Sequence, residues 1–252
     1  MKRIDSLWRR YSESFVDDMP QEGDVSAFIA NLTSLQRVKL SKNQLRFDLS
    51  KLKLPEGVSS VDLSSNLVTG SLSSLLNSKT SWFLEEAHLS NNQISGRIPD
   101  FSECLNVKVL NIGNNKIGDV SAFIANLTSL QRVKLSKNQL RFDLSKLKLP
   151  EGVSSVDLSS NLVTGSLSSL LNSKTSWFLE EAHLSNNQIS GRIPDFSECL
   201  NVKVLNIGNN KIGGQIPSSI SNLFELVRLD ISRNHITGVI PQGLGHSSSS
   251  TG

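Results

Sequence analysis

The chain has 252 residues, 37% of them apolar and 19% charged, and its 26 basic against 23 acidic side chains leave a net charge of only +3. That balance excludes association with nucleic acid or an anionic membrane driven by net charge, and the length suits either one or two globular domains or one elongated array. The two cysteines, Cys104 and Cys199, exclude a disulfide framework, and no stretch approaches the roughly 18 apolar residues of a spanning helix.

Residues 1–23 place Ile4, Leu7, Trp8, Tyr11 and Phe15 on one helical stripe. We expect an amphipathic helix that docks on the element behind it as a cap. Binding to a membrane surface is the alternative, but Asp5, Glu13, Asp17 and Asp18 offset Lys2, Arg3, Arg9 and Arg10. This segment has no apolar core of a signal peptide, so the chain as written is not expected to be exported.

Residues 24–118 recur without one change as 119–213. Inside each copy a shorter period runs through "VKLSKN", "VDLSSN", "AHLSNN" and "LNIGNN", and "LDISRN" closes the series. The nine units carry Asn43, Asn66, Asn92, Asn115, Asn138, Asn161, Asn187, Asn210 and Asn234, spaced by 23 to 26 residues. Alternation such as Val38 and Leu40, or Val61 and Leu63, describes a short strand with one face inward. The asparagine amide both donates and accepts, so stacked asparagines can satisfy backbone groups where each coil turns from its strand. We therefore expect a buried asparagine ladder.

The segments "QISGRIPDF" and "HITGVIPQGL" then bend at glycine and run extended at proline. In "LVRLDISRNHITGVIPQGL" and "GGQIPSSISNLFELVRLDISRN" the chain closely resembles the plant-type leucine-rich repeat, over about residues 24–245. The resemblance implies an α/β repeat solenoid: a right-handed coil with a concave parallel sheet, convex 3₁₀ or irregular returns and the N-terminal capping helix. It also implies a binding module like the ectodomains of receptor-like kinases, receptor-like proteins and polygalacturonase inhibitors, extracellular or membrane-anchored in that family. Such ectodomains usually open with a signal peptide and a paired-cysteine cap, and residues 1–23 show neither.

Exposed substitutions are tolerated, so ninety-five successive identities point to recent copying, which we read as engineered, with a very recent genetic event as the other source. The two joins differ. "NNKIG" runs into "GQIPSSISNL" after the second copy but into "DVSAFIANL" after the first, where the coil is one residue shorter and the joint near Gly118 should be weak. The division is then 1–23 helix, 24–118 first copy, 119–213 second copy, 214–245 final repeat and 246–252 a serine-rich disordered tail.

Outward side chains of stacked parallel strands form rows. The central row should read Lys39, Asp62, His88, Asn111, Lys134, Asp157, His183, Asn206 and Asp230, and its flank Arg37, Ser60, Glu86, Val109, Arg132, Ser155, Glu181, Val204 and Arg228. Opposite charges could neutralise one another along the ladder, leaving a solvated face; alternatively the charged members form a groove for a protein or peptide. His88 with Glu86, and His183 with Glu181, read as surface pairs, since neither a nucleophile nor a closed pocket accompanies them. Matching positions four strands apart lie roughly 19 Å from each other, too far to share a metal.

No catalytic residue, metal or cofactor is expected. Cys104 and Cys199 read as small buried residues, and Trp82 and Trp177 as packing on the convex side, with an exposed, ligand-stacking role as the alternative. "NLT" at Asn31 and Asn126 is a glycosylation acceptor that the repeat itself can generate, and it stays bare without export. The ninth coil leaves Leu229 and Ile231 poorly covered, so association of two chains through their solenoid ends is the alternative function.

Overall fold

The computed structural model describes residues 29–75, 82–98, 104–120, 124, 127–172, 177–197 and 201–241. The N-terminal helix, the tail, Asn126 and Cys199 lie outside the described residues.

In chain order the strands are β1 (Arg37–Lys39), β2 (Ser60–Asp62), β3 (Glu86–His88), β4 (Ser95–Ile98), β5 (Val109–Asn111), β6 (Lys116–Val120) and β7 (Arg132–Lys134). They continue with β8 (Ser155–Asp157), β9 (Glu181–His183), β10 (Ser190–Arg192), β11 (Val204–Asn206), β12 (Lys211–Gly214), β13 (Arg228–Asp230) and β14 (His235–Ile236). Nine of them build one parallel sheet in the order β1-β2-β3-β5-β7-β8-β9-β11-β13. Every pair is in register at equivalent positions, as in Arg37↔Ser60, Val38↔Val61 and Lys39↔Asp62. This is the repeat solenoid that the spacing of the asparagines predicts.

In the nine-stranded sheet each strand from β1 to β11 buries its middle side chain, and the second residue after that is buried as well. Val38, Val61, Ala87, Leu110, Val133, Val156, Ala182 and Leu205 form the first interior row, and Leu40 through Ile207 the second. Only in the ninth coil do the matching Leu229 and Ile231 remain half-buried. A side chain in mid-array contacts the equivalent coil on both sides, so burial comes from stacking and not from any one repeat.

The asparagines tie the coils together in one direction. The Asn66 amide nitrogen donates to Leu63 O at 3.0 Å in its own coil and to Leu40 O at 2.8 Å in the coil before, while its oxygen accepts from Leu45 N at 3.0 Å. The same oxygen-to-amide link recurs from Asn92 to Val68, Asn115 to Ile94, Asn138 to Ile117, Asn161 to Leu140, Asn187 to Val163, Asn210 to Ile189 and Asn234 to Ile212. The residue before each asparagine, for example Lys42, Ser65 or Asn114, takes the left-handed conformation with φ between 53° and 59°. That turn aims the amide inward.

On the convex side short 3₁₀ turns run over Leu49–Lys51, Leu72–Ser74, Leu144–Lys146, Leu167–Ser169 and Ser218–Asn222. Asp48 caps the first by accepting from Ser50 N at 2.8 Å, and Asp143 repeats this with Ser145. Gly70 and Gly165, with φ of +85° and +89°, lie against the Asp48 and Asp143 carboxylates, where a Cβ has no room. Elsewhere on this side two small parallel sheets form, β4 with β6 and β10 with β12 and β14. The two differ at the copy boundary: β4 and β6 slip register between Gly96 and Arg97, so that Gly118 is left out of the pairing, whereas β10 and β12 run through their three pairs without a slip. The coil that is one residue shorter overall thus carries a bulge at Gly118 in β6, where one extra residue faces β4.

The tryptophan expectation is overturned. Trp82 and Trp177 are 66% and 70% exposed. Each opens the turn that enters a strand, where the next inward position is filled by Leu84 or Leu179, both fully buried, and no interior space is left for an indole. Cys104 is buried.

The concave face as a candidate binding site

The sheet register places the charged residues in rows across the concave face. Arg37 and Lys39 stand on β1, Asp62 on β2, Glu86 and His88 on β3, Arg132 and Lys134 on β7, Asp157 on β8, Glu181 and His183 on β9, and Arg228 and Asp230 on β13. Their side chains project outward because the middle residue of each triplet is committed to the core.

Where the copies meet, β3, β5 and β7 enclose a shallow hollow of about 150 Å³ lined by Glu86, His88, Val109, Asn111, Arg132 and Lys134. One wall carries a carboxylate and an imidazole, the floor is uncharged, and the other wall carries two cations. The structure therefore brings together residues from both copies. It keeps His88 and His183 apart, four strands along the sheet. Register gives β9, β11 and β13 the same set, Glu181, His183, Val204, Asn206 and Arg228, except that Asp230 stands where the first hollow has Lys134.

Hydrogen bonds hold the acids in place. Glu86 accepts from Ser60 Oγ at 3.2 Å and lies 3.9 Å from His88 Nε2; Glu181 accepts from Ser155 Oγ at 2.9 Å and lies 4.0 Å from His183 Nε2. Burial works to raise the Asp62 carboxyl, but the Ser64 hydroxyl and amide, the Ser41 hydroxyl and the nearby His88 outweigh it and hold the group below its ordinary range. The Ser232 hydroxyl and amide do the same for Asp230, with Arg228 and Arg233 adding to the effect.

Among the described residues Arg37, Lys39, Arg132 and Lys134 enter no ion pair within 4 Å; those that form are Lys108–Glu85 and Lys203–Glu180 at the edge of the sheet, at 2.9 and 3.0 Å, and the two His–Glu contacts join them only when the imidazole is protonated. No group of three metal-ligating side chains comes together among the described residues. Asn31 is exposed. Sequence reasoning missed the floor residues Val109 and Asn111 as site members, although the register that places them was readable. Trp82 with Phe83, and Trp177 with Phe178, are exposed on the turns that flank β3 and β9.

Comparison with known proteins agrees with the repeat fold. The family described as Leucine Rich repeats (2 copies) matches residues 83–125, and that described as Leucine Rich Repeat matches residues 178–200, 201–223 and 225–247. Receptor-like protein 39 of Arabidopsis thaliana is 32% identical over 68% of this chain and 20% of its own length. Receptor-like protein 35 of the same plant is 32% identical over 88% of this chain and 24% of its own. The chain spans about a fifth of these curated relatives. Among solved structures, a TDR receptor superimposes with a TM-score of 0.73 at 26% identity, over 89% of this chain and 39% of that one. The plant peptide hormone receptor RGFR1, solved in complex with RGF2, gives 0.70 at 27%, over 88% and 40%.

Proposed function

The chain is a plant-type leucine-rich-repeat protein, and on that premise we propose that it is a non-catalytic scaffold whose concave face binds a protein or an extended peptide. The observation that carries this reading is the hollow at the copy boundary, where unpaired cations face a positioned carboxylate and imidazole across an uncharged floor. A peptide hormone receptor with the same fold supports it. Kinship with receptor-like proteins supports an extracellular setting, and no helix among the described residues is long and apolar enough to cross a membrane.

The test is selection of displayed peptides on the purified protein. Wild type should enrich sequences that the double variant Arg132→Glu, Lys134→Glu no longer retains, while Trp177→Ala on the flank retains them. Enrichment indifferent to the concave pair would overturn the reading. A second reading, self-association through the last described coil, rests on the 84% and 74% exposure of Val239 and Ile240 beside half-buried Leu229 and Ile231. We also retain the reading of the duplication as engineered, which divergent codons in the two copies of the coding DNA would support and near-identical codons would oppose.

A further inference from the structure

The flanking row has a regularity beyond the hollow. Its charged members are Arg37, Glu86, Arg132, Glu181 and Arg228, and in the sheet order they occupy every second strand with strictly alternating sign. The strands between carry Ser or Val at that position. Two strand spacings amount to about 9.6 Å, which exceeds the Debye length of about 8 Å at physiological salt. The row's charges therefore do little to neutralise one another, and each is a separate station.

A ligand matching such a row must present opposite charges about 9.6 Å apart on one side of its backbone. Polyproline II has three residues per turn and rises about 3.1 Å per residue, so every third side chain points the same way at about 9.3 Å intervals. An extended β-strand alternates faces, putting residues three apart on opposite sides. An α-helix returns to the same face after seven residues, about 10.5 Å, and so drifts by nearly 1 Å per station. Over the whole row of eight strand steps, about 38 Å, twelve polyproline residue steps cover about 37 Å.

We propose that the concave face is a charge ruler for a polyproline-II peptide bearing acidic and basic side chains in alternation at every third residue. The inference rests on the concave-face reading above and specifies the chemistry of its partner. Lys39 and Lys134 reinforce the positive stations at Arg37 and Arg132, whereas Asp230 offsets Arg228, so the last station holds an acid least well. The duplicated block contributes four strands, one full period of the alternation, so copying extended the ruler without breaking its phase.

The probe is a blocked thirteen-residue peptide, Glu-Pro-Pro-Lys-Pro-Pro-Glu-Pro-Pro-Lys-Pro-Pro-Glu, labelled for fluorescence anisotropy. Its control is the isomer Glu-Pro-Lys-Pro-Pro-Pro-Glu-Pro-Lys-Pro-Pro-Pro-Glu, which rotates both lysines off the row without changing composition. We expect the matched peptide to bind roughly tenfold more tightly than the isomer, with the advantage shrinking between about 20 and about 150 mM salt. The double variant Glu86→Arg, Glu181→Arg, checked for an unchanged circular dichroism spectrum, should lose that advantage. Equal binding of both peptides, abolished by Arg132→Glu with Lys134→Glu, would overturn the ruler and leave the concave-face reading intact. Binding of neither peptide would also overturn the ruler, and the selection experiment would then decide the concave-face reading independently.

Discussion

Truncating Asn161 to alanine measures what one rung of the asparagine ladder contributes. Its nitrogen donates to Leu135 O and Leu158 O, both at 3.0 Å, and to Ser159 O at 3.2 Å. Those carbonyls keep other partners: Leu135 O also accepts from Asn138, Leu158 O from Asn187 and Ser159 O from Lys137 N. The Leu140 amide is different, because the Asn161 oxygen at 3.1 Å is its partner and Leu140 is fully buried. An orphaned buried N–H costs about 1–3 kcal/mol, and the weakened carbonyls add to that, so we expect a loss of about 2–3 kcal/mol. For a chain of this size this lowers Tm by roughly 4–12 °C. The matched control is Asn43→Ala, where the residue is exposed and, among the described residues, its amide donates to Leu40 O and Ser41 O. Circular dichroism melts of the two variants should differ by several degrees. Equal losses would refute the argument that the oxygen-to-amide link carries most of the effect. Asn161→Asp sharpens the test: its carboxyl would face carbonyl oxygens in a buried site, raising its folded pKa. Its stability should then be greatest in acid and fall as pH rises above about 4.

Gly165→Ala should destabilise clearly more than Gly152→Ala: both have positive φ, but only Gly165 abuts the Asp143 carboxylate, and Gly152 has open space around its Cβ direction. Comparable urea midpoints for the two would contradict the crowding. The Asp62 carboxyl is held below 3.8 in the folded protein, so its contribution is complete above that value and fades as pH falls through the folded pKa. Melting curves of Asp62→Asn should therefore lie below wild type near neutrality and converge with it in acid, once the folded carboxyl is protonated. In a Cys199→Ser background, Cys104 should react slowly with a thiol reagent until urea opens the fold, since only 1% of it is accessible. Light-scattering mass over a wide concentration range tests association through the last described coil: growth that Val239→Asp with Ile240→Asp suppresses would support it, and a constant monomer would dismiss it.

The architecture was readable because a short motif recurring at 23 to 26 residues leaves few ways to bury Val38, Leu40 and their equivalents. The register followed for the same reason: a parallel coil with one apolar position per strand can stack only like on like. The composition of the concave rows was therefore visible in advance, but the absence of ion pairing at Arg132 and Lys134 was not. It depends on side-chain reach across the strands, about which a one-dimensional pattern is silent. Trp82 escaped prediction because hydrophobicity alone was asked to decide its side, while Leu84 had already claimed the interior. The left-handed turn at Lys42 or Arg233 carries no signature either, since neither residue favours that conformation and the turn is imposed by the amide behind it. The irregularity at Gly118 was half legible: the shortened coil announced a misfit near the join, but not that β6 would carry an extra residue against β4.

The direction of the asparagine links has a bearing on how such a chain comes into being. In every link the amide of an earlier coil is completed by the oxygen of the next, from Leu45 and Asn66 through Ile212 and Asn234. A chain emerging from the ribosome N-terminus first therefore always trails one unfinished coil, whose inward amide waits for a side chain some twenty-one residues behind it in synthesis. The nascent protein grows like a zipper with its open end towards the ribosome, and a pause in translation would hold that end exposed one coil short of closure.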